Sequence, residues 1–291
     1  MAAYSGIRFN FKRAVVDHVF GIRKLLWPVL DLGDLVHRTL TGRTQYPPLS
    51  ARQKVGGSIW ASIAEFDAIG KECLALLKGI TGLQPQHTVL DIGCGCGRLA
   101  IPLLEYLQPT ARYQGGDVDR EMISWCSRSV TPRHPNASFF HIDVFNSFYN
   151  PELTKQARDF RFPVQDGSVD RIFLGSVFTH MMPLDVEAYL REMARMLRED
   201  GCALISVFVI TRARLSGPAR PLIEQKFRFA KDGHRLASEK YPELDIAYDE
   251  DVLNGMIERS GLQHRQPIIW GHWAGETGMS SHDFLVLEKA K

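Results

Sequence analysis

Short apolar runs alternate with longer segments of helical period through most of this chain. Val89-Leu90-Asp91-Ile92 is a buried-strand pattern, followed by glycines at 93, 95 and 97. Leu99, Ile101, Leu103, Leu104 and Leu107 then mark one helix face. A second strand is predicted over 111–116, ending at Asp117, and a helix capped by Asp119 runs through Trp125 and Arg128. A third strand reads from Ala137 to Val144, and a fourth from Arg171 to Ser176. Pro183 opens a helix over Leu184–Arg198 that Gly201 is expected to stop. Ala203–Ile210 is a fifth strand, and a helix follows from Tyr248 to about Ser260. Gln266–Gly271 and Phe284–Glu288 read as the last two strands. Strands alternating with helices predict an α/β architecture with a doubly wound sheet.

The ends and breaks of this pattern divide the chain. Helical spacing is plausible from about Lys12 to Leu26, interrupted by Pro28, with a second helix over Asp31–Leu40. Pro47-Pro48 reads as a linker, and a helix from about Ser58 to Leu77 leads into the first strand. Residues 1–57 are therefore an N-terminal helical extension and 58–291 the main domain. Segment 211–248, with Pro218, Pro221 and Pro242, has no clear period and reads as an insertion.

Charge adds one asymmetry. The whole chain of 291 residues carries a net +2, unlike a nucleic-acid-binding protein. The first sixty residues hold nine Lys/Arg against three Asp/Glu, leaving about −4 on the rest. A basic amphipathic helix there can pack on the domain with its charged face in water, lie on a membrane surface or serve as a dimer arm. No apolar run is long enough to span a bilayer, and no secretory signal is evident. Five scattered cysteines fit reduced thiols in a cytoplasm. Cys94-x-Cys96 has no metal spacing, so no metal is expected.

The glycine turn carries the chemistry. A dinucleotide fingerprint needs G-x-G-x-x-G, but Arg98 occupies the third glycine position and Gly97 comes one residue early. The carboxylate precedes the glycines, as Asp91-x-Gly93-x-Gly95-x-Gly97. This resembles motif I of the class I S-adenosylmethionine methyltransferases. Asp117-Val118-Asp119-Arg120-Glu121-Met122-Ile123 is similar to the segment that follows the family's second strand. Phe162-Pro163-Val164-Gln165-Asp166-Gly167-Ser168-Val169-Asp170 resembles its F-P-x-x-D-G-S-F-D signature. Ser176-Val177-Phe178-Thr179-His180-Met181 and Trp125-Cys126 are similar to bacterial-type small-molecule members. The likeness is strong over about 80–210 and moderate over 245–289.

The resemblance implies a seven-stranded, mostly parallel sheet with an antiparallel last strand. It implies S-adenosylmethionine as cofactor and S-adenosylhomocysteine as product. The cofactor turn would be Asp91, Gly93, Cys94, Gly95, Gly97 and Arg98. Asp117 would accept hydrogen bonds from two ribose hydroxyls, as a carboxylate can do at once. Val118 and Met122 would lie near the adenine, with Asp143 and the Val144 N–H on its amino and ring nitrogens. Ser176 and Phe178 follow the strand that should face the methyl group.

For a hydroxyl acceptor a base is needed, and His180 is the best-placed histidine. His282 and Glu276 are runners-up, and His141 reads as structural. The expected function is methyl transfer to a small molecule, at oxygen, by in-line displacement. A macromolecular acceptor (RNA, protein or membrane-associated) and a non-catalytic cofactor-binding protein are the alternatives. Residues 1–57 would form a lid or extension, and 211–248 would shape the acceptor side. A nicotinamide dehydrogenase is disfavoured by Arg98.

Overall fold

The computed structural model describes residues 26–55, 61–146 and 150–291. Its contacts divide the chain at Phe66 and Asp67 into two compact units. In the first unit α1 covers residues 26–40 and α2 is Leu49–Lys54. A buried arginine ties them together. Arg52 donates to Asp34 at 2.6 Å and to the carbonyls of Pro47 and Ala61. Arg38 donates to the same Asp34 at 2.7 Å. Burial opposes ionisation of Asp34, but the two guanidiniums outweigh it and hold the carboxyl below its ordinary value. The helix expected over 12–26 lies outside the described residues. Pro28 does not break the described α1, because it lies in that helix's first described turn, where a missing N–H is tolerated.

Helix α3 (Ile63–Thr81) runs into the second unit. In chain order there follow β1 (Val89–Ile92), α4 (Ala100–Tyr106), β2 (Tyr113–Asp117), α5 (Arg120–Ser129), β3 (Ala137–His141) and β4 (Val169–Leu174). Next come α6 (Pro183–Met196), β5 (Leu197–Val207) and β6 (Val209–Ile210). Then come α7 (Arg212–Ser216), α8 (Arg220–Lys226), β7 (Phe229–Lys231), β8 (His234–Leu236) and β9 (Ile246–Asp249). Helix α9 (Glu250–Arg259), β10 (Leu262–His264) and β11 (Asp283–Lys289) complete the unit.

Seven strands form one sheet in the order β10-β11-β5-β4-β1-β2-β3. The pairs among β3, β2, β1, β4 and β5 are parallel, and β11 runs antiparallel to both of its neighbours. Alternate residues serve two cores, as a doubly wound sheet requires. Leu90, Ile92, Ile172, Leu174 and Ile205 pack with Tyr189 and Met193 of α6 and Met256 of α9. Val89, Phe173 and Leu204 pack with Leu77, Leu103 and Cys126. The strand order reverses beside β1, where Ile92 is in register with Leu174 of β4. That reversal brings the glycine turn after β1 next to the residues after β4.

Several expectations are corrected. Helix α6 ends at Met196, not Arg198, because Leu197 already pairs with Val169. Gly201 is not a left-handed helix stop but part of β5. A Cβ there would lie 2.9 Å from the Val169 carbonyl oxygen. The strand expected over Gln266–Gly271 is instead β10, Leu262–His264, and only Ile269 makes a lone bridge, to Phe284. Pro267 lacks the N–H that a ladder there would need. The third strand stops at His141 rather than Val144. The unreadable segment 211–248 contains β7, β8 and most of β9, which with β6 form a second sheet in the order β6-β9-β8-β7. Among the described residues no helix is long and apolar enough to cross a membrane.

Candidate functional site

Gly93 turns the chain out of β1 at φ +81°, a conformation that favours glycine. A Cβ at this position would stand 2.4 Å from Val177 Cγ2, so the backbone runs close against the segment after β4. The N–H groups of Gly93 and Cys94 donate to the Gly116 carbonyl of β2, at 2.7 and 3.1 Å. Gly97 N–H closes the turn onto the Cys94 carbonyl. Cys94 and Cys96 are buried small residues, and burial raises the Cys94 thiol well above its ordinary range.

Asp117 ends β2 directly beside this turn. Its Oδ2 accepts from Gly95 N–H at 2.7 Å and its Oδ1 from Asp119 N–H at 2.8 Å. Burial raises its pKa, and the N–H groups of Asp119, Gly95 and Val118 act against the rise. A carboxylate has about four lone-pair sites and accepts from several donors at once. This donor and acceptor set fits the ribose of S-adenosylmethionine. Asp119 caps α5, accepting from Glu121 and Met122 N–H.

Asp91 is buried, and Tyr113 Oη donates to its Oδ2 at 2.8 Å. Tyr113 escaped the sequence reading because its role is a contact across two strands. Burial pushes the Asp91 carboxyl up to about 7, against the Tyr113 hydrogen bond and the nearby Arg98 charge. The folded state therefore keeps a proton that the unfolded chain gives up near pH 4. Asp91's contribution to stability falls as pH rises from about 4 to about 7 and is flat above that. The maximal slope is about 1.4 kcal/mol per pH unit for one proton. Asp91→Asn keeps an acceptor for Tyr113 and removes that slope. Denaturant titrations across pH 4–8 should show a flatter profile for the variant; parallel profiles would refute the assignment.

Beyond Asp117, the Val118 carbonyl accepts from His141 Nε2 at 2.9 Å and from Asn150 Nδ2 at 2.8 Å. His141 thus holds the loop after β2. Met122 is buried in α5. Asp143 is more than half exposed, 3.9 Å from Arg120 and 3.7 Å from His141. Val144 is buried, and its N–H donates to the Ile142 carbonyl.

The segment after β4 is strained. Ser176 has φ +58°, which costs a non-glycine residue about 1–3 kcal/mol. Its N–H donates to Ser206 Oγ at 2.7 Å, and its own Oγ lies 3.4 Å from His282 Nε2. Phe178 is fully buried in the core, and its carbonyl accepts from Tyr248 Oη at 2.6 Å. The Met181 carbonyl shares that single Tyr248 proton, so β9 pins this turn from the second sheet. His180 Nδ1 lies 3.1 Å from the Glu243 carbonyl oxygen. Glu276 pairs with Arg214 at 2.6 Å, which makes it a structural partner in this arrangement.

Residues 89–201 match a methyltransferase domain family. Two curated relatives are the tRNA N(3)-methylcytidine methyltransferase Mettl2 of Drosophila melanogaster and the tRNA N(3)-cytidine methyltransferase METTL2 of Gallus gallus. The first is 23% identical over 189 residues, 64% of this chain and 52% of that protein. The second is 21% identical over 190 residues, 65% of this chain and 46% of that protein. The chain thus spans about half the length of the curated relatives it matches. The solved structure of the PH0226 protein from Pyrococcus horikoshii has a TM-score of 0.51 at 15% identity, over 78% of this chain and 92% of that one, a likeness of fold. The match runs from β1 into β5, across the turn where Asp117 meets the glycines, so residues 89–201 resemble a methyltransferase domain set in a Rossmann-like sheet.

Proposed function

We propose that the chain methylates a small-molecule acceptor at oxygen, with His180 as general base. The observation that carries this reading is the His180 Nδ1 contact to the Glu243 carbonyl. A carbonyl only accepts, so Nδ1 holds the proton and Nε2 is left as the accepting nitrogen. His180 is half-buried and follows the strand next to β1, on the side of the sheet where ligands of doubly wound folds bind.

When bound, S-adenosylmethionine supplies a methyl group on a sulfonium and leaves as S-adenosylhomocysteine. Asp117 would hold the ribose, with Val118, Met122, Asp143 and Val144 around the adenine. Gly93, Cys94, Gly95, Gly97, Arg98 and Asp91 would form and support the turn that admits it. Ser176 and the Phe178 backbone would set the floor beside the acceptor. His180 Nε2 takes the proton that the acceptor hydroxyl loses as its oxygen bonds the methyl carbon. In this reading 58–291 is the catalytic domain, 211–248 shapes the acceptor side and 1–57 is a helical extension. The bonds from Tyr248 and to Glu243 support the role of 211–248.

A second reading, an RNA acceptor, is favoured by the names of the two curated relatives. Incubation with methyl-labelled cofactor, a metabolite extract and total tRNA separates the two. The label should enter the small-molecule fraction, and label in tRNA would replace the proposal. Once an acceptor is found, His180→Asn should lower kcat about 100-fold with unchanged affinity for S-adenosylhomocysteine. A variant with wild-type kcat would remove His180 from the mechanism.

A further inference from the structure

We infer that the acceptor carries an anionic oxygen, a carboxylate or a phenolate, and that Lys226 with His282 binds it. This rests on reading the segment after β4 as the acceptor side of a methyltransferase.

Lys226 closes α8, and its Nζ stands 3.6 Å from the centre of the Phe208 ring and 5.1 Å from that of Phe227. Aromatic faces attract a cation without neutralising it. The carboxylate paired with it is Asp245, at 4.0 Å, the outer limit of an ion pair and beyond hydrogen-bond range. Burial lowers the pKa of Lys226 and raises that of Asp245, so each is short of the solvation its charge needs.

The same Phe208 ring carries His282, stacked at 4.8 Å between ring centres and tilted by 29°. His282 Nε2 lies 3.4 Å from Ser176 Oγ, and its Nδ1 3.2 Å from Ser281 Oγ. Burial first, then the positive fields of Lys226 and His180, press His282 down to about 4. It is therefore a neutral ring at physiological pH, able to donate one N–H and accept at the other nitrogen. His180 also acts on Asp245, so it shares that neighbour with Lys226. Phe208 thus orients a cation and a neutral imidazole from elements far apart in sequence. The His180 charge acts on His282 and, with that of Lys226, on Asp245, and Lys226, His282 and His180 are all half-buried rather than sealed.

An anionic oxygen arriving here would give Lys226 the close counter-charge that Asp245 does not supply. His282 would add a second donor. The proposed proton transfer uses neither residue. The competing account is that Lys226 only packs its stem on the rings with its head in water.

The test uses the full chain saturated with S-adenosylhomocysteine and labelled at histidine nitrogen. Benzoate, 4-nitrophenolate above its pKa, and neutral benzamide are titrated in turn. Benzoate, 4-nitrophenolate or both should move the His282 and His180 imidazole signals, and whichever binds names the anion. Benzamide should bind about tenfold more weakly or not at all. Lys226→Met, which keeps the apolar stem, should weaken the anion about tenfold, and Lys226→Arg should restore it. The inference is overturned if benzamide binds as well as the anions, if Lys226→Met binds them like wild type, or if none binds the loaded protein. Failure of S-adenosylhomocysteine to bind at all would overturn the methyltransferase reading itself, and this inference with it.

Discussion

Asp117→Ala is expected to lower the affinity for S-adenosylmethionine about 100-fold or more. The carboxylate would give up two charge-assisted hydrogen bonds to ribose hydroxyls, each worth about 1.5–3 kcal/mol net. The same change removes the acceptor for Gly95 N–H at 2.7 Å and for Asp119 N–H at 2.8 Å, so the turn itself loosens. Two comparisons isolate the ribose contribution. Asp117→Asn keeps one oxygen acceptor and should bind between the two. Asp119→Ala removes the cap of α5, at a stability cost of about 1 kcal/mol, but keeps the Asp117 carboxylate and should leave affinity nearly intact. Isothermal titration of the three variants with S-adenosylmethionine, S-adenosylhomocysteine and NAD checks this ranking. Because burial raises the Asp117 pKa, binding should weaken on acidification earlier than for an exposed carboxylate. Wild-type affinity in Asp117→Ala would move the cofactor off the end of β2.

What the sequence revealed follows from how local each signal is. The β1 run, the glycines, Asp117 and the Asp119 cap lie within thirty residues, and each is a short-range requirement of strand, turn or helix. The switch in strand order followed from the resemblance, and β1 flanked by β2 and β4 agrees with it. The second sheet was unreadable because β7 and β8 have three residues each and α7 five, too short to show a period. Tyr248 reaches carbonyls 70 and 67 residues away, and nothing in its own neighbourhood announces that. Gly201 looked like a helix stop because a glycine after a helical run usually is one. Here the close approach of Val169 decides instead, and tertiary pairing ends the helix. Phe178 was read from its place in a motif, but its side chain belongs to the core and only its carbonyl faces the pinning tyrosine.

Asp283→Ala should be among the most damaging single changes in the second unit, costing about 3–5 kcal/mol. The side chain is fully buried and accepts five N–H groups. Two come from Arg214, at 2.8 and 3.1 Å, and the others from Val209, Gly271 and Trp273, at 2.9, 2.8 and 2.7 Å. Removing it strands three neutral donors and leaves the buried guanidinium, which stacks on Trp270 and Trp273 at 4.4 and 4.9 Å, with only the Glu276 carboxylate and the Val209 carbonyl as hydrogen-bond partners among the described residues. The reverse deletion is gentler. In Arg214→Met the carboxylate keeps three N–H donors, and the exposed partner Glu276 turns to water. Guanidinium unfolding at constant m should therefore rank wild type above Arg214→Met, and Arg214→Met above Asp283→Ala. The opposite order would mean that the guanidinium, rather than the carboxylate, is the group the loop is built around. Because Asp283 follows His282 and fixes Trp273, its loss should also release the His282–Ser176 contact. The Asp117 side lies across the sheet order from β11, so S-adenosylhomocysteine affinity should survive in whatever fraction of Asp283→Ala remains folded.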